Sequence, residues 1–183
     1  IKRISVTIRL HQLSMPIPKD VDYGVLMMYN TGDVNDYKCK NPILSFDDVK
    51  PYLRYIHDYQ LPLCTAYPCF KWQLLFRGDQ FKAILHEDNL SDSTIYRRVT
   101  KDKFLIVSSR DLPSFIGEDS YTIQINAGDS LFLKECPSEE ILKVKAALEK
   151  RRRGINSQVI LYDLNEENIK RYNQNVYEKI LNH

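Results

Sequence analysis

Two segments in the last third of the chain share one layout, and it restricts the fold more than any other feature. Leu131-Phe132-Leu133-Lys134-Glu135 runs into Ser138-Glu139-Glu140-Ile141-Leu142-Lys143, and Val159-Ile160-Leu161-Tyr162-Asp163 runs into Glu166-Glu167-Asn168-Ile169-Lys170-Arg171. Each reads as strand, short loop and helix, with acids in the first helical turn where the helix dipole favours them. Glu135 and Asp163 stand at equivalent strand ends. The first helix repeats Ile141, Val144 and Leu148 at helical spacing, and the second repeats Ile169, Val176 and Ile180.

The same grammar extends upstream. Ile4-Ser5-Val6-Thr7-Ile8-Arg9-Leu10 alternates at period two, as a strand does, and delivers His11 and Gln12 at its end. Tyr23 to Met28 is apolar without alternation, which fits a strand covered on both faces in a parallel sheet. From Ser45 the period becomes helical through Phe46, Val49, Leu53 and Ile56, with Pro51 requiring a loose or late start. Leu61 to Ala66 then reads as a strand, completing a βαβ unit. Trp72 to Phe76 and Phe81 to Leu85 flank Arg77-Gly78-Asp79-Gln80 as a hairpin, expected as an insertion over 70–87. Thr94 to Val99 and Phe104 to Ser108 read as short strands, and Pro113 to Asp119 as a loop.

Composition narrows the partners. With 26 Lys and Arg against 24 Asp and Glu in 183 residues, the net charge of +2 does not call for nucleic acid. Lys150-Arg151-Arg152-Arg153 before Gly154 fits a solvated helix end completing the dipole, and no aromatic residues interleave with it. The Arg-Gly-Asp triplet at the hairpin tip matches an adhesion motif, but three letters on a turn carry little information. No apolar run approaches the roughly 20 residues of a membrane span, and no signal peptide is visible. The chain opens on Ile1 rather than Met, which hints at further chain upstream. Cys39, Cys64, Cys69 and Cys136 have neither disulfide-framework nor zinc spacing, and His11, His57, His86 and His183 are scattered, so no metal or cofactor is expected.

Strands alternating with amphipathic helices give an α/β class with a parallel sheet over 1–183 as one domain. A complete eightfold barrel takes about 250 residues. The expectation is therefore a partial or truncated TIM-barrel-like βα repeat with an inserted hairpin, its five barrel strands beginning near Ile4, Tyr23, Leu61, Leu131 and Val159. An open doubly wound sheet is the alternative, without a glycine-rich nucleotide turn to support it.

Thr7-Ile8-Arg9-Leu10-His11-Gln12, Leu26-Met27-Met28-Tyr29-Asn30-Thr31-Gly32, Ala66-Tyr67-Pro68-Cys69-Phe70-Lys71-Trp72 and Val159-Ile160-Leu161-Tyr162-Asp163-Leu164-Asn165 together resemble the later half of uncharacterised bacterial proteins, many of them Bacteroidetes-type predicted lipoproteins. The resemblance spans nearly the whole chain through short motifs. It implies a glycoside-hydrolase-like barrel and an exported, periplasmic or cell-surface protein, and it supplies no catalytic assignment.

In a parallel barrel the loops after the strands build the active face. Glycosidases commonly set two carboxyl groups about 5 to 9.5 Å apart, one to protonate the leaving oxygen and one to act as nucleophile or base. Glu135 and Asp163 are the candidate catalytic pair; their competing role is helix capping or pairing with Lys134, Lys170 or Arg171. His11, Gln12, Tyr29, Asn30, Tyr67 and Trp72 are the candidate substrate-binding residues, with Trp72 reading equally as a sugar platform or as hairpin core. The function expected is acting on or binding carbohydrate; the alternative is a non-catalytic binding or assembly module. Oligomeric state is left open by the sequence, although an unfilled parallel edge invites pairing.

Overall fold

A computed structural model describes residues 3–85, 89–116 and 119–182. In chain order the elements are β1 (Ser5–Ile8), β2 (Tyr23–Met27), α1 (Phe46–Val49), α2 (Leu53–Ile56), β3 (Leu63–Pro68), β4 (Lys71–Arg77), β5 (Gln80–Leu85), β6 (Tyr96–Arg98), β7 (Lys103–Ile106), β8 (Arg110–Ile116), β9 (Asp119–Ile125), β10 (Ser130–Glu135), α3 (Ser138–Arg151), β11 (Val159–Tyr162) and α4 (Gln174–Leu181). The fold is mixed α/β. Ile1–Gly32, Asn41–Phe70 and Cys136–His183 form one compact unit; Asp33–Lys40 and Lys71–Glu135 form a second.

The first unit is built on a four-stranded sheet in the order β1-β2-β3-β11, every pair parallel. Register partners share a face and strand neighbours alternate between faces. One face therefore carries Ile8, Gly24, Leu26, Leu63, Thr65, Tyr67, Val159 and Leu161, and the other Thr7, Val25, Met27, Cys64, Ala66, Ile160 and Tyr162. Helices cover the first face, and the contact is fixed by one buried amide. Thr65 Oγ1 and Tyr67 Oη donate to Asn156 Oδ1 at 3.0 and 2.7 Å. Asn156 Nδ2 donates in turn to the Lys145 carbonyl of α3 at 3.2 Å and to Glu149 Oε2 at 3.0 Å. Gly24 is required by close approach, since a Cβ there would lie 2.9 Å from both Ile8 Cγ1 and Leu63 Cδ2. On the second face Ile160 and Tyr162 are exposed, at 43% and 48%.

The segment expected as one helix from Ser45 is two single turns, α1 and α2, joined by a 3-10 turn over Lys50–Tyr52. Pro51 is the reason, because it brings no amide hydrogen to the α ladder. Ser45 caps the start, its Oγ accepting from the Asp47 amide at 3.3 Å. The last helix also begins late, at Gln174, where Asn173 Oδ1 accepts from the Val176 amide at 3.0 Å.

The second unit holds an antiparallel sheet in the order β5-β4-β10-β7-β6 and the β8-β9 hairpin. The Leu131 strand, expected beside the barrel strands, is β10, and it pairs antiparallel with β4 and β7. A short apolar run covered on both faces reads the same in a parallel or an antiparallel sheet, so its sequence did not distinguish them. The expected hairpin is β4-β5, one edge of this sheet, and residues 86 and 87 at the end of the expected insertion lie outside the described residues. Pro113, expected in a loop, pairs with Thr122 in β8-β9; a two-stranded ribbon is all edge and tolerates proline. Gly117 and Glu118 of that expected loop lie outside the described residues. Leu75, Leu85, Tyr96, Phe104, Ile106, Leu112, Ile125 and Leu131 form the core on one sheet face. Against the other, Lys134 Nζ donates to the Cys39 carbonyl at 2.7 Å, tying down the 33–40 segment.

Arg77 of the Arg-Gly-Asp triplet is committed to Asp129, with Nε to Oδ1 at 2.9 Å and Nη2 to Oδ2 at 3.0 Å. Burial raises the Asp129 carboxyl, but the Arg77 guanidinium and the Asn126 amide outweigh it and hold the group below the ordinary carboxylate range. The folded value being depressed, this carboxylate stabilises the fold above its unfolded pKa of about 4, and the contribution is lost as pH falls through the folded value. Arg77→Met should lower the urea midpoint at pH 7 and lose the Asp129-dependent part of the acid sensitivity; unchanged acid and urea profiles would contradict this. Asn156→Ala should cost about 2–4 kcal/mol, because the Tyr67 and Thr65 hydroxyls lose their acceptor. In Tyr67→Phe the same change should cost less, and additive costs in urea melts would show the network is not coupled.

Candidate functional site

Residues that continue the sheet's alternation past its carboxyl edge form the site. Arg9 follows β1 on the face of Thr7, Tyr29 follows β2 on the face of Met27, Phe70 lies beyond Pro68 of β3, and Tyr162 ends β11. All four share the face that the helices do not cover. Tyr29 and Tyr162 stack with centroids 4.7 Å apart and planes 6° from parallel. Phe70 meets both edge-on, at 6.1 Å from Tyr29 and 6.0 Å from Tyr162. Tyr29 and Phe70 are buried, whereas Tyr162 is half exposed, so the cluster is a rigid aromatic plate with one wet ring.

Beside this plate lies a cavity of about 150 Å³ lined by Arg9, Leu10, His11, Met27, Tyr29, Asn30, Thr31 and Tyr52. Its walls are set by local structure. Leu10 and Leu13 bury themselves in a 3-10 turn after β1, and Gln12 Oε1 accepts from the Arg9 amide at 2.8 Å. Gln12 thus organises the turn that presents Arg9 and His11. Asn30 has φ +56°, a left-handed conformation that asparagine tolerates better than most side chains. Thr31 Oγ1 donates to Asp48 Oδ2 at 3.1 Å and accepts from the Ser45 amide at 3.0 Å, fastening the β2 loop to α1. Burial and the neighbouring Tyr162 raise the Tyr29 hydroxyl pKa, and Arg9 opposes them. Tyr29 is therefore a neutral hydrogen-bonding phenol at physiological pH.

Asp163 follows Tyr162 directly. Its Oδ1 accepts from Asn168 Nδ2 at 2.7 Å, while its carbonyl accepts from Asn168 Nδ2 at 3.0 Å and from the Cys69 thiol at 3.1 Å. The carboxylate is exposed but held in one orientation. Burial, and then Asp163, push the Cys69 thiol up to about 11; burial pushes Cys136 to about 12 and raises Cys64. None of these three is an activated thiolate at neutral pH.

The structure brings His11, Tyr29 and Asn30 together in one cavity. Tyr67 is fully buried on the helix-covered face, bound to Asn156. Trp72 and Glu135 belong to the second unit, whereas Asp163 belongs to the first. Trp72 pairs with Lys134 and Lys71 with Glu135, so Trp72 and Glu135 point to opposite faces of their sheet. Glu135 borders a hollow of about 800 Å³ that also includes Lys71, Tyr96, Arg97 and Arg98. Arg9, Thr31, Tyr52, Phe70 and Tyr162 were not expected as site residues. Period-two continuation from Thr7 and Ile160 marks Arg9 and Tyr162, but Tyr52 is joined to them only by tertiary structure.

Among the described residues no three His, Cys, Asp or Glu side chains converge as a metal-ligand set, and no helix is long and apolar enough to cross a membrane. Compared with protein-family models, curated proteins and solved structures, the chain matches none.

Asn168→Ala removes a donor from Asp163 without touching the aromatic plate. The chain should then lose about 1 kcal/mol of stability, because the Asp163 carboxylate and carbonyl both lose the Asn168 donor. Urea melts check this, and an unchanged midpoint would mean that the Asn168 contact does not stabilise the fold.

Proposed function

We propose that the parallel sheet is the four-strand part of a TIM-barrel-like fold and that its carboxyl edge recognises carbohydrate. The sequential order β1-β2-β3-β11, with every pair parallel and no reversal, supports a barrel segment over a doubly wound sheet, whose order reverses at a switch point. On this reading the Lys71–Glu135 segment of the second unit is an insertion between β3 and α3, and the face carrying Thr7, Val25, Met27, Ile160 and Tyr162 is barrel interior. An exported or cell-surface setting accords with the resemblance to predicted lipoproteins.

The observation that carries the carbohydrate reading is the Tyr29-Tyr162-Phe70 plate beside a cavity with imidazole, amide, phenol and guanidinium groups. A flat ring accepts the apolar face of a pyranose, and the surrounding groups suit its hydroxyls. Asp163, next to the exposed Tyr162, is a carboxylate at this edge. Hydrolysis would require a second carboxyl group beside Asp163. The observation favouring a binding module instead is that Asp163 is held by Asn168 and Glu135 sits at the hollow of the other unit.

Tyr162→Ala should weaken binding of the best oligosaccharide from a glycan array about tenfold, which corresponds to about 1.4 kcal/mol. An array with no binder, or a variant that binds as well as the parent, would overturn the assignment. For catalysis, Asp163→Asn should abolish reducing-sugar release from that glycan while leaving affinity within a few-fold. Absence of release by the parent chain selects the binding module.

A further inference from the structure

The walls of the strand-end cavity are unequal in charge. Arg9 is a permanent cation and His11 a titratable one, while the remaining lining residues carry no carboxylate. Asp48, the acid reached through Thr31, accepts the Thr31 hydroxyl. Asp163 lies beyond Tyr162 and accepts from Asn168. Among the described residues no carboxylate forms an ion pair with Arg9, in contrast to Arg77, which is held bidentately by Asp129. Arg9 follows β1 directly and lines the cavity together with Met27 and Tyr29, one of the rings of the aromatic plate.

A neutral ring stacked on Tyr162 would shield this guanidinium from water and give it only hydroxyls in return. An oxyanion on the ring would accept its two parallel N–H groups, the geometry in which arginine binds anions most strongly. We propose that the sugar recognised at this edge is acidic, carrying a carboxylate or sulfate that pairs with Arg9 while the ring rests on the Tyr162 side of the plate. This inference rests on the carbohydrate reading and adds the substrate class to it. His11 and Asn30, on the same wall, serve the hydroxyls flanking the acidic group.

The test is calorimetric titration of the full chain with an oligogalacturonate, its methyl ester, a sulfated galactan oligosaccharide and the unsubstituted neutral oligosaccharide. An acidic form should bind at least tenfold more tightly than its uncharged counterpart. The difference should shrink as salt is raised, close in Arg9→Met and survive in part in Arg9→Lys. A preference confined to the oligogalacturonate identifies the anion as carboxylate, and one confined to the sulfated oligosaccharide identifies it as sulfate. Equal binding of charged and uncharged forms by the parent chain overturns the acidic-sugar proposal and leaves carbohydrate recognition standing. Binding of none of the four overturns both for these sugars. The comparison of charged and uncharged ligands decides the matter on the parent chain even where Arg9→Met does not fold.

Discussion

Everything at the strand ends depends on how β3 is held, and β3 is held by Asn156. The strand is buried along its whole length, so two polar side chains on it, Thr65 and Tyr67, had to find partners inside the protein. One amide supplies both: its oxygen accepts the two hydroxyls, and its nitrogen returns hydrogen bonds to Lys145 and Glu149. A buried network in which every group is matched sets a position more sharply than apolar contact alone, because sliding by one residue would strand each partner. β2 and β11 both pair with β3, so the same anchor sets their register.

Register in turn assembles the site. A parallel sheet sends alternate residues to opposite faces, and the helices take the face that Asn156 anchors. The residues left on the other face include Thr7, Val25, Met27, Cys64, Ala66 and Ile160 within the sheet, and Arg9, Tyr29, Phe70 and Tyr162 as the strands run out. A slip of one residue at β11 would turn Tyr162 into the helix layer and dissolve its stack on Tyr29. The position of the exposed ring is therefore a consequence of a hydrogen-bond network on the far side of the sheet.

That dependence explains what the sequence disclosed and what it withheld. The strands, α3 with its Ile141, Val144 and Leu148 stripe, and the β4-β5 hairpin were legible because each is written in local periodicity. His11, Tyr29 and Asn30 were legible because they end strands. The antiparallel placement of β10 was not, since an apolar run covered on both sides has no mark of strand direction. Tyr67 and Tyr29 look alike in sequence, each near the end of an apolar strand, yet parity sends one into the helix layer and the other to the open face. The difference between them is a single residue of phase relative to a partner strand, and the partner is known only once the sheet is built. Tyr52 was hidden for a further reason, because Pro51 converts the expected continuous helix into two turns and redirects the chain beyond it.

The same logic separates the two carboxylates that sequence symmetry had equated. Glu135 and Asp163 both close a strand and precede a helix, but their strands belong to different kinds of sheet. Asp163 ends a parallel strand, at the edge where successive strand ends gather on one side, and it is steadied there by Asn168 beside the aromatic plate. Glu135 ends an antiparallel strand opposite Lys71, where neighbouring strands begin rather than end, and alternation puts it on the other side of the sheet from Trp72. Parallel topology concentrates strand termini and with them the side chains available for recognition, whereas antiparallel topology disperses them. Asp163, the stacked rings and Arg9 all arise from the parallel sheet, and this common origin is why we propose recognition at that edge rather than at the larger hollow of the second unit.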